Sequence, residues 1–264
     1  EAHRNLMERW VTENPPAHGT GWEPYPTSLR IVNWIKWALK GNTLSNECRQ
    51  SLAIQVRWLT RRLEFHILGN HLFTNAKALV FAGLFFDGAE ANDWLARGWR
   101  ILQRQIPEQI LSDGGHFERS TMYHALALED MLDLINVTRA YPSALSGTLS
   151  SEAELWIERA QSMRRWLVTM CHPDGEIGFF NDSAIGIAPL PTELNTYADR
   201  LGLKPLSKER DELVQLPASG YIRMAGKHMV ALLDVAQIGP DYLPAHAHAD
   251  TLSFELSLGD HRVL

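Results

Sequence analysis

Apolar residues recur at steps of three and four through most of the first 170 positions, the period of helices with one buried face. The pattern predicts helices over 2–13, from about Thr27 to Gly41, and over 46–68, 70–86, 90–105, 119–139 and 151–170. Leu52, Val56, Leu59, Leu63 and Ile67 mark the third. Trp156, Ala160, Met163, Leu167 and Met170 mark the last. Breakers separate them: Asn14-Pro15-Pro16, Gly41, Gly69, Asp87-Gly88 and Pro107, residues that cap, turn or stop a helix. After about residue 210 the period falls to two. Tyr221–Met224 and His228–Asp234 read as strands of a hairpin around Gly226-Lys227. From Asp250 to Leu258 the alternation is strict: Leu252, Phe254, Leu256 and Leu258 against Thr251, Ser253, Glu255 and Ser257. Such a stretch is a half-buried strand, turned by Gly259-Asp260. Helices first and strands after predict an α+β, multidomain chain, helical over 1–210 and an antiparallel sheet over 211–264. No fixed repeat runs through it, which excludes a solenoid of near-identical units.

The 264 residues, 45% hydrophobic, allow one large domain or two smaller ones. A net charge of -6 gives a nucleic-acid partner no global support. Two cysteines, Cys48 and Cys171, are too few for a disulfide scaffold. No apolar run reaches the length that spans a bilayer. Nine Trp, nine Phe and six Tyr can build a large core or a sugar-binding cleft. The chain starts at Glu1 without Met or signal peptide, and Leu264 falls within a strand pattern. The expectation is a processed or partial chain, its sheet domain truncated.

Three places concentrate chemistry. The first is Ser112-Asp-Gly-Gly-His-Phe-Glu-Arg-Ser-Thr-Met-Tyr-His124, a glycine turn running into a helix that presents Tyr123. A capped helix with a core tyrosine accounts for it equally well. The second is Pro244-Ala-His246-Ala-His248-Ala-Asp250. Histidines at i and i+2 of an extended segment share a side, and with an acid they make a partial metal site; two polar loop histidines are the plainer reading. The third, Gly69-Asn70-His71-Leu72, sits at a helix junction, where Asn is also an ordinary cap. The long loop 172–190, carrying Phe180-Asn181-Asp182-Ser183, has the length of a functional loop.

Together these stretches, with Trp22-Glu-Pro-Tyr-Pro-Thr-Ser-Leu-Arg-Ile-Val-Asn-Trp34 and His246-Ala-His-Ala-Asp-Thr-Leu-Ser-Phe254, resemble the heparinase II/III-like polysaccharide lyases, a family that includes oligo-alginate lyases. The resemblance implies an incomplete α/α toroid followed by the beginning of a β-sandwich, with the active site between them. It implies an enzyme that cleaves a 4-linked uronic-acid polysaccharide by β-elimination. The C5 proton lies beside a carboxylate, so that carboxylate must be neutralised before a base can act. Asn70 and His71 match the neutralising pair, Tyr123 the catalytic acid, and His246 the base or a second neutraliser. A free tyrosine has a pKa of about 10 and needs nearby cations to act as base; Arg119 is a candidate. His116, Glu118, Arg119, His124, Asn181, Asp182, Trp22 and Tyr25 are the expected substrate contacts. His248 matches a zinc ligand of one branch; there the zinc is structural, and its other ligands would fall at or beyond residue 264. The implied partner is a uronic-acid-containing polysaccharide or oligosaccharide, with no nucleic acid and no membrane span. The resemblance also implies a bacterial, periplasmic or secreted location, and a cytoplasmic one stays open. Two rivals stand: a glycoside hydrolase on a similar toroid, with paired carboxylates drawn from Asp113, Glu118 and Asp182, and a non-catalytic sugar-binding protein. The identity of the uronic acid is left open.

Overall fold

The computed structural model describes residues 1–145, 147–207 and 212–264. The boundary expected at residue 210 lies outside the described residues. The chain divides into two units, Glu1–Gln105 and Ile106–Leu264.

The first unit is helical: α1 (Ala2–Glu13), α2 (Pro24–Leu39), α3 (Asn46–Thr60), α4 (Gly69–Phe85) and most of α5 (Ala89–Gln109). Pro24 opens α2 at its first turn, where a missing N–H costs nothing. The Ser45 side chain caps α3 by accepting from the Cys48 N–H. α4 is apolar nearly all round and buried along almost its whole length, as a helix surrounded by others must be. Two glycines let its neighbour approach. A Cβ on Gly98 would stand 2.7 Å from the Ala76 carbonyl oxygen, and one on Gly83 would stand 2.5 Å from the Leu95 nitrogen.

The helix expected over 46–68 stops at Thr60. Leu63 kept the pattern alive because it is buried, but it reaches the core from a non-helical connection. Gly69 begins the next helix rather than ending this one. The residue before it, Leu68, holds φ 66° and ψ -150°, a region that side chains avoid. Trp22 lies in this unit's interior. Its indole N–H donates to the Asn14 carbonyl at 3.3 Å, its carbonyl accepts from Trp58 Nε1 at 2.8 Å, and Trp10 packs 5.7 Å away. The sugar contact expected of Trp22 has no exposed ring to act through, since the residue is 3% exposed.

In the second unit, α6 (Thr121–Ala140), α7 (Thr148–Thr169) and α8 (Pro191–Arg200) precede an antiparallel sheet. Its strands lie in chain order: β1 (Leu213–Leu216), β2 (Tyr221–Ala225), β3 (Met229–Asp234), β4 (Phe254–Leu258) and β5 (His261–Arg262). The β2–β3 hairpin is the predicted one. α8 and β1 were not anticipated. α8 follows the N-terminal rules all the same, with Pro191 in its first turn and the Glu193 carboxylate accepting from the Leu190 N–H at 3.0 Å.

β4 departs from expectation in length and in facing. It begins at Phe254 rather than Asp250, and Phe254 and Leu258 are exposed while Ser257 is buried. The polar set faces inward because His172 receives it: Nδ1 lies 2.7 Å from Ser257 Oγ, and Nε2 lies 2.7 Å from Glu255 Oε2. The inner face of the sheet otherwise closes over Trp166, Met170 and Phe180, using Leu216, Tyr221, Val230 and Leu232.

Candidate functional site

Two connections of the second unit are built alike. After α5, Asp113 Oδ1 accepts from the Gly115 N–H, and Ile110 bridges to His116. After α7, Asp174 Oδ1 accepts from the Glu176 N–H, and Cys171 bridges to Ile177. Each is an Asp-Gly turn closed by its own side chain. In the first turn the glycines are needed for room. A Cβ on Gly114 would fall 2.5 Å from the Ser162 carbonyl oxygen, and one on Gly115 would fall 2.7 Å from Trp166 Nε1. Asp113 is also tied to Ser219, accepting from its N–H at 2.7 Å and its hydroxyl at 2.9 Å. That ties the helix-side turn to the β1–β2 turn.

Beyond this turn Ser120 caps α6, its hydroxyl accepting from the Tyr123 N–H at 3.1 Å. The same hydroxyl donates to the Asp182 carbonyl at 2.7 Å, so the α7–α8 loop is fastened to the start of α6. The Asp182 N–H donates to the His246 carbonyl at 3.1 Å. Three segments distant in sequence, 118–123, 178–183 and 246–250, are thus held together by hydrogen bonds from main chain to main chain and from main chain to side chain.

Within that junction the structure brings Tyr123, His246, Glu118 and Asp182 together. The rings of Tyr123 and His246 lie 3.9 Å apart, tilted by 35°. His246 Nδ1 is 2.8 Å from Asp182 Oδ2, and Nε2 is 3.5 Å from Glu118 Oε2. The imidazole therefore stands between two carboxylates, one buried and one half-exposed. An imidazole can donate from both nitrogens only when doubly protonated. This arrangement can hold a proton next to the Tyr123 ring and release it from either edge.

Arg119 and Asn181 shape the junction through the backbone. Both hold positive φ, 62° and 57°, and both are fixed by side-chain bonds. The Arg119 carbonyl accepts from Tyr221 Oη at 2.7 Å and from Asn181 Nδ2 at 3.3 Å. Asn181 Oδ1 accepts from the His248 N–H at 3.1 Å, and the Asn181 N–H donates to Asp250. Burial pushes the Tyr221 hydroxyl well above its ordinary pKa, so it stays a neutral donor. The Arg119 guanidinium donates to the Gln237 carbonyl; the group stacked on Tyr123 is His246.

His116 and His124 are interior residues. His124 Nδ1 accepts from the His116 N–H at 3.2 Å, its Nε2 donates to the Met163 carbonyl at 3.0 Å, and its ring stacks 4.2 Å from Trp166. Burial holds the pKa of His124 down to about 4 and that of His116 down to about 3. The sugar contacts expected of these two have no exposed ring to act through; they brace the turn that carries Glu118.

Asn70 and His71 lie in the first unit, in the opening turn of α4, and both are part-exposed. His71 Nδ1 is 2.9 Å from Glu64 Oε1, and Tyr25 stacks on the ring at 4.5 Å. Glu64 is buried. Its second oxygen accepts from Asn75 Nδ2 at 2.9 Å, its N–H donates to Asn75 Oδ1 at 2.9 Å, and Asn75 Nδ2 also reaches Ser28 Oγ at 3.1 Å. Glu64, Asn75 and Ser28 orient His71, and none was singled out from the sequence. The signal was a carboxylate and an amide among otherwise apolar positions of the third and fourth helical patterns. With Nδ1 facing Glu64, His71 presents Nε2 outward.

His248 is exposed. Among the described residues no group of three or more His, Cys, Asp or Glu side chains is arranged to hold a metal ion. Asp250 is engaged by the Asn181 N–H, and His246 by two carboxylates. The other ligands that the resemblance implies for His248 would fall at or beyond residue 264, so these residues supply at most part of a zinc site.

The family profile described as Heparinase II/III N-terminus matches residues 7–201, and the one described as Heparinase II/III-like, C-terminal, matches residues 208–264. A heparin-sulfate lyase of Bacteroides thetaiotaomicron is 26% identical over 200 residues, 67% of this chain and 27% of that protein. One from Pedobacter heparinus is 30% identical over 119 residues, 44% of this chain and 17% of that protein. A crystal structure of heparinase III superposes with a TM-score of 0.77 at 20% identity, over 99% of this chain and 45% of that one. A heparan sulfate lyase from Pedobacter heparinus gives 0.63 at 20% identity, over 98% and 44%. The chain spans less than half the length of the relatives it matches.

Proposed function

Because the chain belongs to the heparinase II/III family, we propose that it works as a polysaccharide lyase that cleaves a 4-linked uronic-acid polymer by β-elimination. The observation that carries this reading is the Tyr123–His246 pair, stacked at 3.9 Å with the imidazole anchored on both edges.

Elimination removes the C5 proton, forms the C4–C5 double bond and breaks the C4–O4 bond, and O4 leaves with a proton. Tyr123 supplies the proton to O4. His246 takes the C5 proton as the base, and its imidazolium then returns that proton to the Tyr123 phenolate left after O4 is protonated, so both groups are reset. Asp182 fixes the tautomer and orientation of His246 in the manner of an acid behind a catalytic histidine. Asn70 and His71 neutralise the uronate carboxylate, which stabilises the enolate-like charge that develops at C5. The outward Nε2 of His71, with Glu64 behind the ring, suits that task.

A paired-carboxylate hydrolase fits less well. It needs an open gap of roughly 5–9.5 Å between its two acids to admit the sugar, and His246 stands between Glu118 and Asp182. The discriminating experiment offers the protein a panel of heparan sulfate, hyaluronan and alginate and follows ultraviolet absorbance from the new double bond. The expected result is a rise on at least one polymer that disappears in Tyr123→Phe. New reducing ends without absorbance would sink the proposal in favour of hydrolysis.

A further inference from the structure

A cavity of about 260 Å³ opens in the first unit, beside the Arg61–Leu68 connection and the C-terminal half of α5. Leu72 and Ile101 supply a buried apolar floor. Phe65 forms one wall with 54% of its surface exposed. Arg97, Arg100 and Arg104 rim it and are all exposed.

Three features there carry a cost to stability. The arginines sit at i, i+3 and i+7 on one face of α5, about 10 Å along its axis, and like charges at such spacing repel by about 0.2–0.5 kcal/mol per pair. No carboxylate among the described residues engages any of the three. Phe65 leaves an aromatic face in water beside them. Leu68, also in the lining, holds the φ 66°, ψ -150° conformation that costs about 1–3 kcal/mol in a residue with a side chain. An unpaired cationic stripe and a bare ring at one concavity are what a ligand relieves.

The lining defines that ligand. Guanidiniums take carboxylate or sulfate oxygens two at a time. The floor and Phe65 ask for an apolar surface of small extent. Inorganic anions lack that surface, and neutral sugars lack the charge. A pyranose ring carrying a carboxylate or sulfate has both, a C–H face for Phe65 and acidic substituents at its edge. The volume is near the lower end of ligand pockets, the size class of a small group. We propose that this cavity is a second binding subsite for one acidic sugar unit of the polymer, with Arg97, Arg100 and Arg104 reading its charge and Phe65 its face. The choice of a polymer as the source of that sugar rests on the lyase reading.

The test is calorimetric titration of an acidic heparan sulfate hexasaccharide, and of its desulfated, carboxyl-reduced counterpart, into the protein. Titrations are run in a Tyr123→Phe background, so that the oligosaccharide is not turned over, on that protein alone and with Arg97→Gln/Arg100→Gln or Phe65→Ala added. The exposed positions of Phe65, Arg97 and Arg100 predict no loss of thermal stability when they are substituted. The acidic oligosaccharide is expected to bind the Tyr123→Phe background at least tenfold more tightly than the neutral one, with the added double arginine substitution and Phe65→Ala each weakening it about fivefold or more. Equal affinity with and without the arginine substitutions, or of acidic and neutral ligands, would overturn the subsite. Because binding is read without turnover, failure of the elimination assay leaves this result standing, and failure here leaves the elimination result standing.

Discussion

Replacing Glu64 asks how firmly His71 is held. The Glu64 carboxylate accepts from the buried Asn75 amide and faces His71 Nδ1, each at 2.9 Å. Glu64→Ala removes both contacts. Asn75 is wholly buried, so its amide loses a charged acceptor that water cannot replace; such a bond is worth about 1.5–3 kcal/mol. Asn75 keeps Ser28 Oγ and the Glu64 N–H, which places the loss toward the lower end. His71 is about one-third exposed and can recover its bond from water, adding about 0.5 kcal/mol. Removing a buried carboxylate returns part of its desolvation cost. The net expectation is about 2 kcal/mol, or a fall in melting temperature of about 4–8 °C for a chain of this size. Glu64→Gln keeps an acceptor for Asn75 and a polar atom facing His71, so it should lose about 1 kcal/mol or less. Circular dichroism melts of the three proteins, with elimination rates on the best polymer, give the readout. Alanine should lower kcat/KM by more than tenfold, and glutamine by clearly less. Identical melts for alanine and glutamine, or full activity in both, would refute the claim that this carboxylate positions His71.

Two further expectations concern the second unit. Tyr221→Phe deletes the hydroxyl that donates to the Arg119 carbonyl and leaves the ring's packing intact. It should cost about 1–1.5 kcal/mol, seen as a melting point lowered by about 2–5 °C; an unchanged melt contradicts the role given to this bond. His116 and His124 have folded pKa values lowered to about 3 and about 4 against about 6.5 when unfolded. The unfolded chain therefore binds more protons below pH 6.5. Their contribution is complete above that pH and is lost as the pH falls toward 4, by at most about 1.4 kcal/mol per histidine per unit. Melting temperature should drop between pH 7 and pH 5, and less steeply in His124→Gln. Equal slopes in parent and variant would remove these histidines from the explanation.

Much of this architecture is written locally. Gly69 opens a helix instead of ending one and Pro107 lies inside α5, but the remaining helical spacings and breakers and the β2–β3 hairpin are short-range signals that produced the elements they announced. So did the run from Ser112 to His124, whose turn, cap and tyrosine lie within one stretch of chain. What stayed hidden depends on distant partners. Leu63 is apolar because it is buried, and periodicity alone cannot tell a buried loop residue from a helical one. Glu64 orients His71 only because Asn75, one turn further along α4, and Ser28 of α2 arrive at the same point. The pairing of His246 with Asp182 closes over 64 residues of sequence, and that with Glu118 over still more; no pattern within a single segment encodes either.

The inward-facing polar set of β4 bears on the order in which the second unit assembles. Either face of this strand could pack against something: one is leucine and phenylalanine, the other serine and glutamate. Hydrophobic alternation, which usually decides which way a strand turns, gives the wrong answer here. His172, placed by the end of α7, supplies the missing instruction by binding Ser257 and Glu255 at once. A slip of one residue would bring Leu256 or Leu258 to the imidazole and strand both of its nitrogens. The strand can therefore be proofread only after the helix end and its Asp-Gly turn exist, so β4 should lock late, with α7 as its template.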